Sequence, residues 1–136
     1  MIGYLVSRNL ILMNEKANQS FTELEVWKRA RILKNQIKEL TVSFPADERF
    51  RLTDQIIRSS RGINATIAEG HGRYTFKDQI NFCIMSRGSL SETHNHLIDA
   101  LDCEYINQET LERFKTIIDE VGKLLNGYIA YLRKNL

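Results

Sequence analysis

The 136-residue sequence predicts an all-α protein folded as an up-down-up-down four-helix bundle, and three observations carry that prediction. Apolar residues recur at three- and four-residue steps in four successive segments, the period of helices that each bury one face. The connections between those segments are short and polar, which sets consecutive helices side by side. Strand-like alternation, internal repeats and a glycine-rich phosphate loop are all missing between them. With 43% apolar and 26% charged residues, the composition is that of a single globular domain, not of a disordered or membrane protein.

The chain begins with Met1 to Ser20, where Ser7, Arg8 and Asn9 interrupt the apolar residues and leave no run long enough for a signal core or a membrane span. Residues 1–20 read as a poorly ordered extension to a bundle spanning residues 21–136, with Met13 as an alternative start of the folded unit. The first helix is expected from Thr22 to Thr41, its buried face formed by Val26, Ala30, Leu33, Ile37 and Leu40. Lys28, Arg29, Arg31, Lys34 and Lys38 fall mostly off that face and give the helix a basic flank. Trp27 widens the apolar side and reads as core or subunit interface.

The stretch from Phe44 to Arg73 organises the rest. Pro45, the only proline, suits the first turn of a helix, and Asp47 and Glu48 complement the positive end of its dipole. Leu52, Ile56, Ser59 or Ser60, Ile63 and Ile67 make a stripe that runs from apolar through small and back to apolar. Gly70 and Gly72 are expected to end this second helix near Glu69. The third helix is expected from Thr75 to Leu101 on Ile80, Cys83, Ile84, Leu90, Leu97, Ile98 and Leu101. Gly88 in its interior is costly for a helix, and close packing against the small residues of the second helix is the simplest compensation. Asn107 is the expected N-cap of the fourth helix, whose Leu111, Phe114, Ile118, Val121, Leu125, Tyr128 and Leu132 alternate most regularly.

Chemistry-bearing constellations are sparse. A carboxylate-bridged di-metal centre needs Glu-x-x-His pairs on two helices, and Glu92 is followed three residues later by Asn95. His94 and His96 point about 200° apart on a helix; His94, between Leu90 and Leu97, is expected at the apolar seam. His71, Glu92 and His94 are the one conceivable metal set, and no metal or cofactor is expected. Ser59, Ser60, Ser89, Ser91 and Cys83 all lie inside predicted helices, whose amides are already bonded and offer no oxyanion hole. No catalytic residue is assigned, and a Glu69–Glu92 acid–base pair is the only enzymatic alternative. Cys83 and Cys103 read as free thiols of a cytoplasmic protein.

Polar residues stand out on the second and third helices. Asn64, Glu69, Ser89 and Glu92, with Arg58 and Arg73, read either as a network that fixes helix register or as part of a ligand site. In the second case Arg49, Arg51, Arg58, Arg61 and Arg73, together with Lys28, Arg29, Arg31 and Lys34, form a groove for phosphate backbone. The net charge is only +2, so such a groove needs local clustering or repetition in an oligomer.

Four segments carry a family resemblance: LEVWKRARIL at Leu24 to Leu33, FPADERFRLTDQIIRSS at Phe44 to Ser60, IAEGHGR at Ile67 to Arg73, and GSLSET at Gly88 to Thr93. In this order and spacing the sequence resembles the small bacterial four-helix-bundle proteins encoded in intervening sequences of 23S rRNA genes, historically labelled ribosomal-protein-like. The resemblance covers Phe21 to about Leu132. It implies a homopentameric ring with a positively charged surface, no enzymatic activity and an RNA-associated role. Accessory proteins of diversity-generating retroelements, which bind nucleic acid and a reverse transcriptase, look like relatives of the same fold. The chain departs from the usual pattern at Gly62 and Thr66, and at Thr93-His94-Asn95-His96, where histidines bring the prospect of pH sensitivity at an interface. The expectation is therefore a non-enzymatic homo-oligomer that associates with RNA or a nucleic-acid enzyme and does not engage membranes. The alternative is a scaffold that docks a protein partner through Trp27, Phe76 and Tyr105.

Overall fold

The computed structural model describes residues 20–136, which form four α-helices and no strand. They are α1 (Glu25–Thr41), α2 (Leu52–His71), α3 (Phe76–Asp102) and α4 (Gln108–Lys134). Each packs on its neighbours in sequence and α1 also packs on α4, with the α2–α3 contact the most extensive. One apolar core lies between them, built on residues such as Leu33, Ile56, Ile63, Leu97, Phe114 and Val121. No described helix is long and apolar enough to cross a membrane. The expectations about residues 1–19, including the alternative start at Met13, lie outside the described residues.

The helix starts differ from expectation where a side chain or a turn intervenes. Ser20 Oγ accepts from Thr22 N and caps one turn of 3-10 helix at Phe21–Glu23, and Leu24 is extended, so α1 begins at Glu25. Pro45 does not open the long helix. It precedes a second 3-10 turn, Ala46–Glu48, and Arg51 then leaves helical geometry at φ −121° and ψ −109°, so α2 begins at Leu52. Phe44 is buried and packs 5.5 Å from the Tyr105 ring, which ties down the chain just before the proline. Thr75 caps α3 by accepting from Asp78 N, and Asn107 caps α4 by accepting from Thr110 N, as its sequence position predicts.

Gly72 ends α2 as expected, but Gly70 and Gly88 do not act where the sequence placed them. α2 continues past Glu69 to His71 and is capped by Gly72 in ordinary right-handed geometry, φ −78°. Gly70 is buried instead against α3, where a Cβ would sit 2.7 Å from Phe82 Cβ. Gly88 has no atom within 4 Å of such a Cβ, so it is not compensated by packing on α2. That role belongs to Gly62, whose Cβ would meet Ser89 Oγ at 3.3 Å. Two stripes also shift by one residue: Thr41 is buried where Leu40 was expected, and Ile129 where Tyr128 was expected. On α3, Ile84 and Ile98 face outward, 43% and 38% exposed.

Gly70→Ala is expected to destabilise the protein by about 1–3 kcal/mol, because the nearest atom is a Cβ that cannot swing away. Gly127→Ala on α4, where the Cβ meets open space, is expected to stabilise by about 0.5–1 kcal/mol. Urea unfolding of both variants checks the pair, and equal effects would contradict the close α2–α3 approach.

Candidate nucleic-acid surface and the polar seam beneath it

Where α2 and α3 come closest, the facing residues are small and hydroxylic. Ser59 Oγ lies 2.9 Å from Thr93 Oγ1, and Thr66 is hydrogen-bonded to Ser86. Each hydroxyl also has a carbonyl of its own helix within reach: Ile56 O for Ser59, Ser89 O for Thr93, Gly62 O for Thr66 and Phe82 O for Ser86. One donor proton per hydroxyl thus always finds an acceptor, and four polar groups are buried or half-buried without loss. The pairing of Ser59 with Thr93, Thr66 with Ser86 and Gly70 with Phe82 runs in opposite senses along the two helices, so α2 and α3 are antiparallel. Sequence reasoning named Ser59 but missed Thr66, Ser86 and Thr93. The signal was there, in hydroxyl residues recurring on the facing side of both helices.

The polar residues singled out from sequence go to three different places. Asn64 is buried and faces α1, where its amide donates to Trp27 O at 3.0 Å while Oδ1 has no partner among the described residues. Glu69 and Arg73 pair with each other at 3.1 Å at the end of α2, and Arg73 also lies 4.7 Å over the Phe82 ring. Arg58, Ser89 and Glu92 share an open α2–α3 cleft of ≈ 410 Å³ with Gln55, Ser59 and His96. Asn64, Glu69, Ser89 and Glu92 are therefore not joined in one network. His96 is the buried histidine, because position 96 flanks the Thr93–Leu97 stripe, while His94 is half-buried. Its Nε2 is 4.0 Å from Glu92 and its Nδ1 3.9 Å from Asp99, too long for hydrogen bonds. Among the described residues no three His, Cys, Asp or Glu side chains converge on a metal-sized site, and His71, Glu92 and His94 are not brought together.

The nine basic residues separate by partner. Lys28 pairs with Glu25, Arg29 with Glu120 of α4, Arg58 with Asp54, and Arg73 with Glu69. Arg31, Lys34, Arg49, Arg51 and Arg61 make no ion pair among the described residues. All five belong to α1, α2 or the connection between them. The Asn64–Trp27 bond marks the α1–α2 contact; Arg31 and Lys34 lie four and seven residues beyond Trp27, and Arg61 three before Asn64, so they border that contact. Arg31 covers the Trp27 ring at 5.6 Å. Arg49 and Arg51 lie in the α1–α2 connection.

The cysteines are unlike each other. Burial pushes the Cys83 thiol up to about 11, whereas Cys103 is exposed. Burial, then Cys83 and Tyr131, raises Tyr128 to about 12, and its hydroxyl donates to Gln79 Oε1 at 3.3 Å. At pH 8 one thiol equivalent is expected to react at once with a disulfide reagent and the second only on unfolding. Asn64→Ala is expected to cost about 1–2 kcal/mol in urea unfolding, since it removes the side-chain bond that joins α2 to α1.

Comparison with known proteins bears on the whole bundle. No curated protein matches the chain. A solved crystal structure, of a protein with unknown function from the S23 ribosomal protein family of Bacteroides thetaiotaomicron VPI-5482, is similar at 26% identity and a TM-score of 0.71. The likeness covers 77% of this chain and 95% of that one. The family described as 23S rRNA-intervening sequence protein matches residues 22–127, which takes in α1, α2, α3 and most of α4. The chain belongs to the 23S rRNA-intervening sequence protein family.

Proposed function

We propose that this protein is a non-enzymatic homo-oligomer, a pentameric ring of up-down-up-down bundles, that associates with structured RNA in the cytoplasm through a repeated basic edge. The observation that carries the reading is the α1–α2 edge, where Arg31, Lys34, Arg49, Arg51 and Arg61 are free of carboxylates while the other four candidate cations are neutralised locally. Unpaired guanidinium and ammonium groups on one edge fit phosphate contacts. Five contacts on one subunit bind weakly, and repetition around a ring raises the local concentration of sites. Connections of a few residues between long helices support the alternating topology.

Ring closure needs a surface with little charge, and α3 offers one. Ile84, Gly88, Ser91, Asn95 and Ile98 follow one another at helical spacing on its outer side, all uncharged and exposed, with Met85 beside them at 54% exposure. The same face is the best support for the alternative reading, a scaffold for a protein partner. Trp27, Phe76 and Tyr105, the residues expected from sequence to dock such a partner, are half-buried against the bundle's own core. The non-enzymatic reading rests on the seam hydroxyls, each held by a neighbour.

Native mass spectrometry of protein purified at low salt without nuclease is expected to show five subunits with RNase-sensitive extra mass. A nucleic-acid-free monomer would refute both halves of the reading. In RNA titrations, the Arg31→Ala, Lys34→Ala, Arg61→Ala triple variant is expected to flatten the slope of log affinity against log salt by about 2 per engaged subunit. Lys115→Ala, whose ammonium is held 3.1 Å from Asp119, is expected to leave the slope unchanged.

A further inference from the structure

We propose that the α1–α2 connection is a stacking platform for one unstacked RNA base, with the Phe50 ring as its surface and Arg49 and Arg51 as the phosphate contacts. This rests on the RNA-associated reading above and assigns it a specific group. Phe50 is 83% exposed, outside the core that holds Phe44 and Phe114. A phenyl ring left in water forgoes the stabilisation that burial would give it and keeps its face available to a partner. The Arg49 guanidinium carbon lies 5.3 Å from the ring centroid, over the ring, and leaves the opposite face open. Arg51, on the other side in sequence, sits at the break between the 3-10 turn and α2.

The surrounding charges favour an anionic partner. Neither Arg49 nor Arg51 makes an ion pair among the described residues. Asp47 and Glu48 of the preceding 3-10 turn form no ion pair with either arginine. A second exposed aromatic makes the contrast. Tyr74, fully exposed in the α2–α3 turn, also follows an arginine, but Arg73 is committed to Glu69 at 3.1 Å and to the Phe82 ring. An aromatic face between two uncommitted cations is the combination that takes a base and its phosphates, and only an unpaired base has a free face to offer.

The test is fluorescence anisotropy with a labelled single-stranded oligoribonucleotide and a blunt RNA duplex of the same length, on wild type, Phe50→Ala, Phe50→Trp and Tyr74→Ala, each checked for folding by thermal melting. Phe50→Ala is expected to lose about tenfold in single-strand affinity and less than twofold for the duplex, with Phe50→Trp restoring binding and Tyr74→Ala unchanged. Single-strand binding by Phe50→Ala at wild-type strength would overturn the platform and leave the RNA reading standing. A change of subunit count in Phe50→Ala by native mass spectrometry would also overturn it, by making Phe50 a subunit contact. Wild-type protein that binds neither RNA refutes the broader reading instead, and the platform with it.

Discussion

The close approach of α2 to α3 is the constraint on which the rest of this structure depends. It requires glycine at position 70, where Phe82 leaves no room for a Cβ, and small hydroxylic residues at Ser59, Thr66, Ser86 and Thr93. Hydroxyls do here what aliphatic groups cannot. They occupy little volume, and each can bond either the facing helix or its own backbone, so the register is fixed by paired hydrogen bonds as well as by shape. A slip by one turn would part Ser59 from Thr93 and Thr66 from Ser86 and move Phe82 off Gly70. With α2 and α3 locked, α1 and α4 fill the remaining sides of the core, and the Asn64–Trp27 and Tyr128–Gln79 bonds join α1 to α2 and α4 to α3.

How far the sequence discloses this differs from residue to residue. Apolar periodicity locates all four helices because burial of one face is a repeating physical demand, and the caps at Thr75 and Asn107 are local chemistry that a few residues suffice to reveal. The break at Arg51 is not local. The connection that contains it is tied at Phe44 to Tyr105, a residue of the α3–α4 connection that no window around Pro45 contains. Gly88 and Gly70 show the same limit: both are glycines inside helical patterns, and only the neighbouring helix decides that one is sterically required and the other is not. His94 and His96 differ by about 200° of helix, so a small error in where the core stripe runs exchanges the buried histidine for the half-buried one.

The candidate surface was half legible for a related reason. All nine basic residues are visible in the sequence, but a cation's usefulness to a partner depends on what already holds it. The i,i+4 pairs Arg58–Asp54 and Arg73–Glu69 can be read from spacing; the Arg29–Glu120 pair, which links α1 to α4, cannot. Exposed pairs of this kind contribute on the order of 0.2–1 kcal/mol each, so they do little for stability. Their larger consequence is to neutralise those four positions among the nine, which leaves Arg31, Lys34, Arg49, Arg51 and Arg61 as the candidates without an ion pair among the described residues.

That division also bears on why a chain with a net charge of +2 can be read as an RNA-associated protein at all. Whole-molecule charge governs distant attraction, which at physiological salt fades within about 8 Å, whereas contact is governed by the groups on the touching edge. A chain whose acidic and basic residues nearly balance overall keeps its non-specific attraction low, while a few cations without an ion pair on a touching surface can still give local affinity. In a closed ring those edges recur at fixed spacing, so an RNA that matches the spacing engages several at once and one that does not engages a single weak edge. Selectivity in such an assembly would come from geometry. It would therefore rest, through the position of α1 and α2, on the same seam that holds α2 against α3.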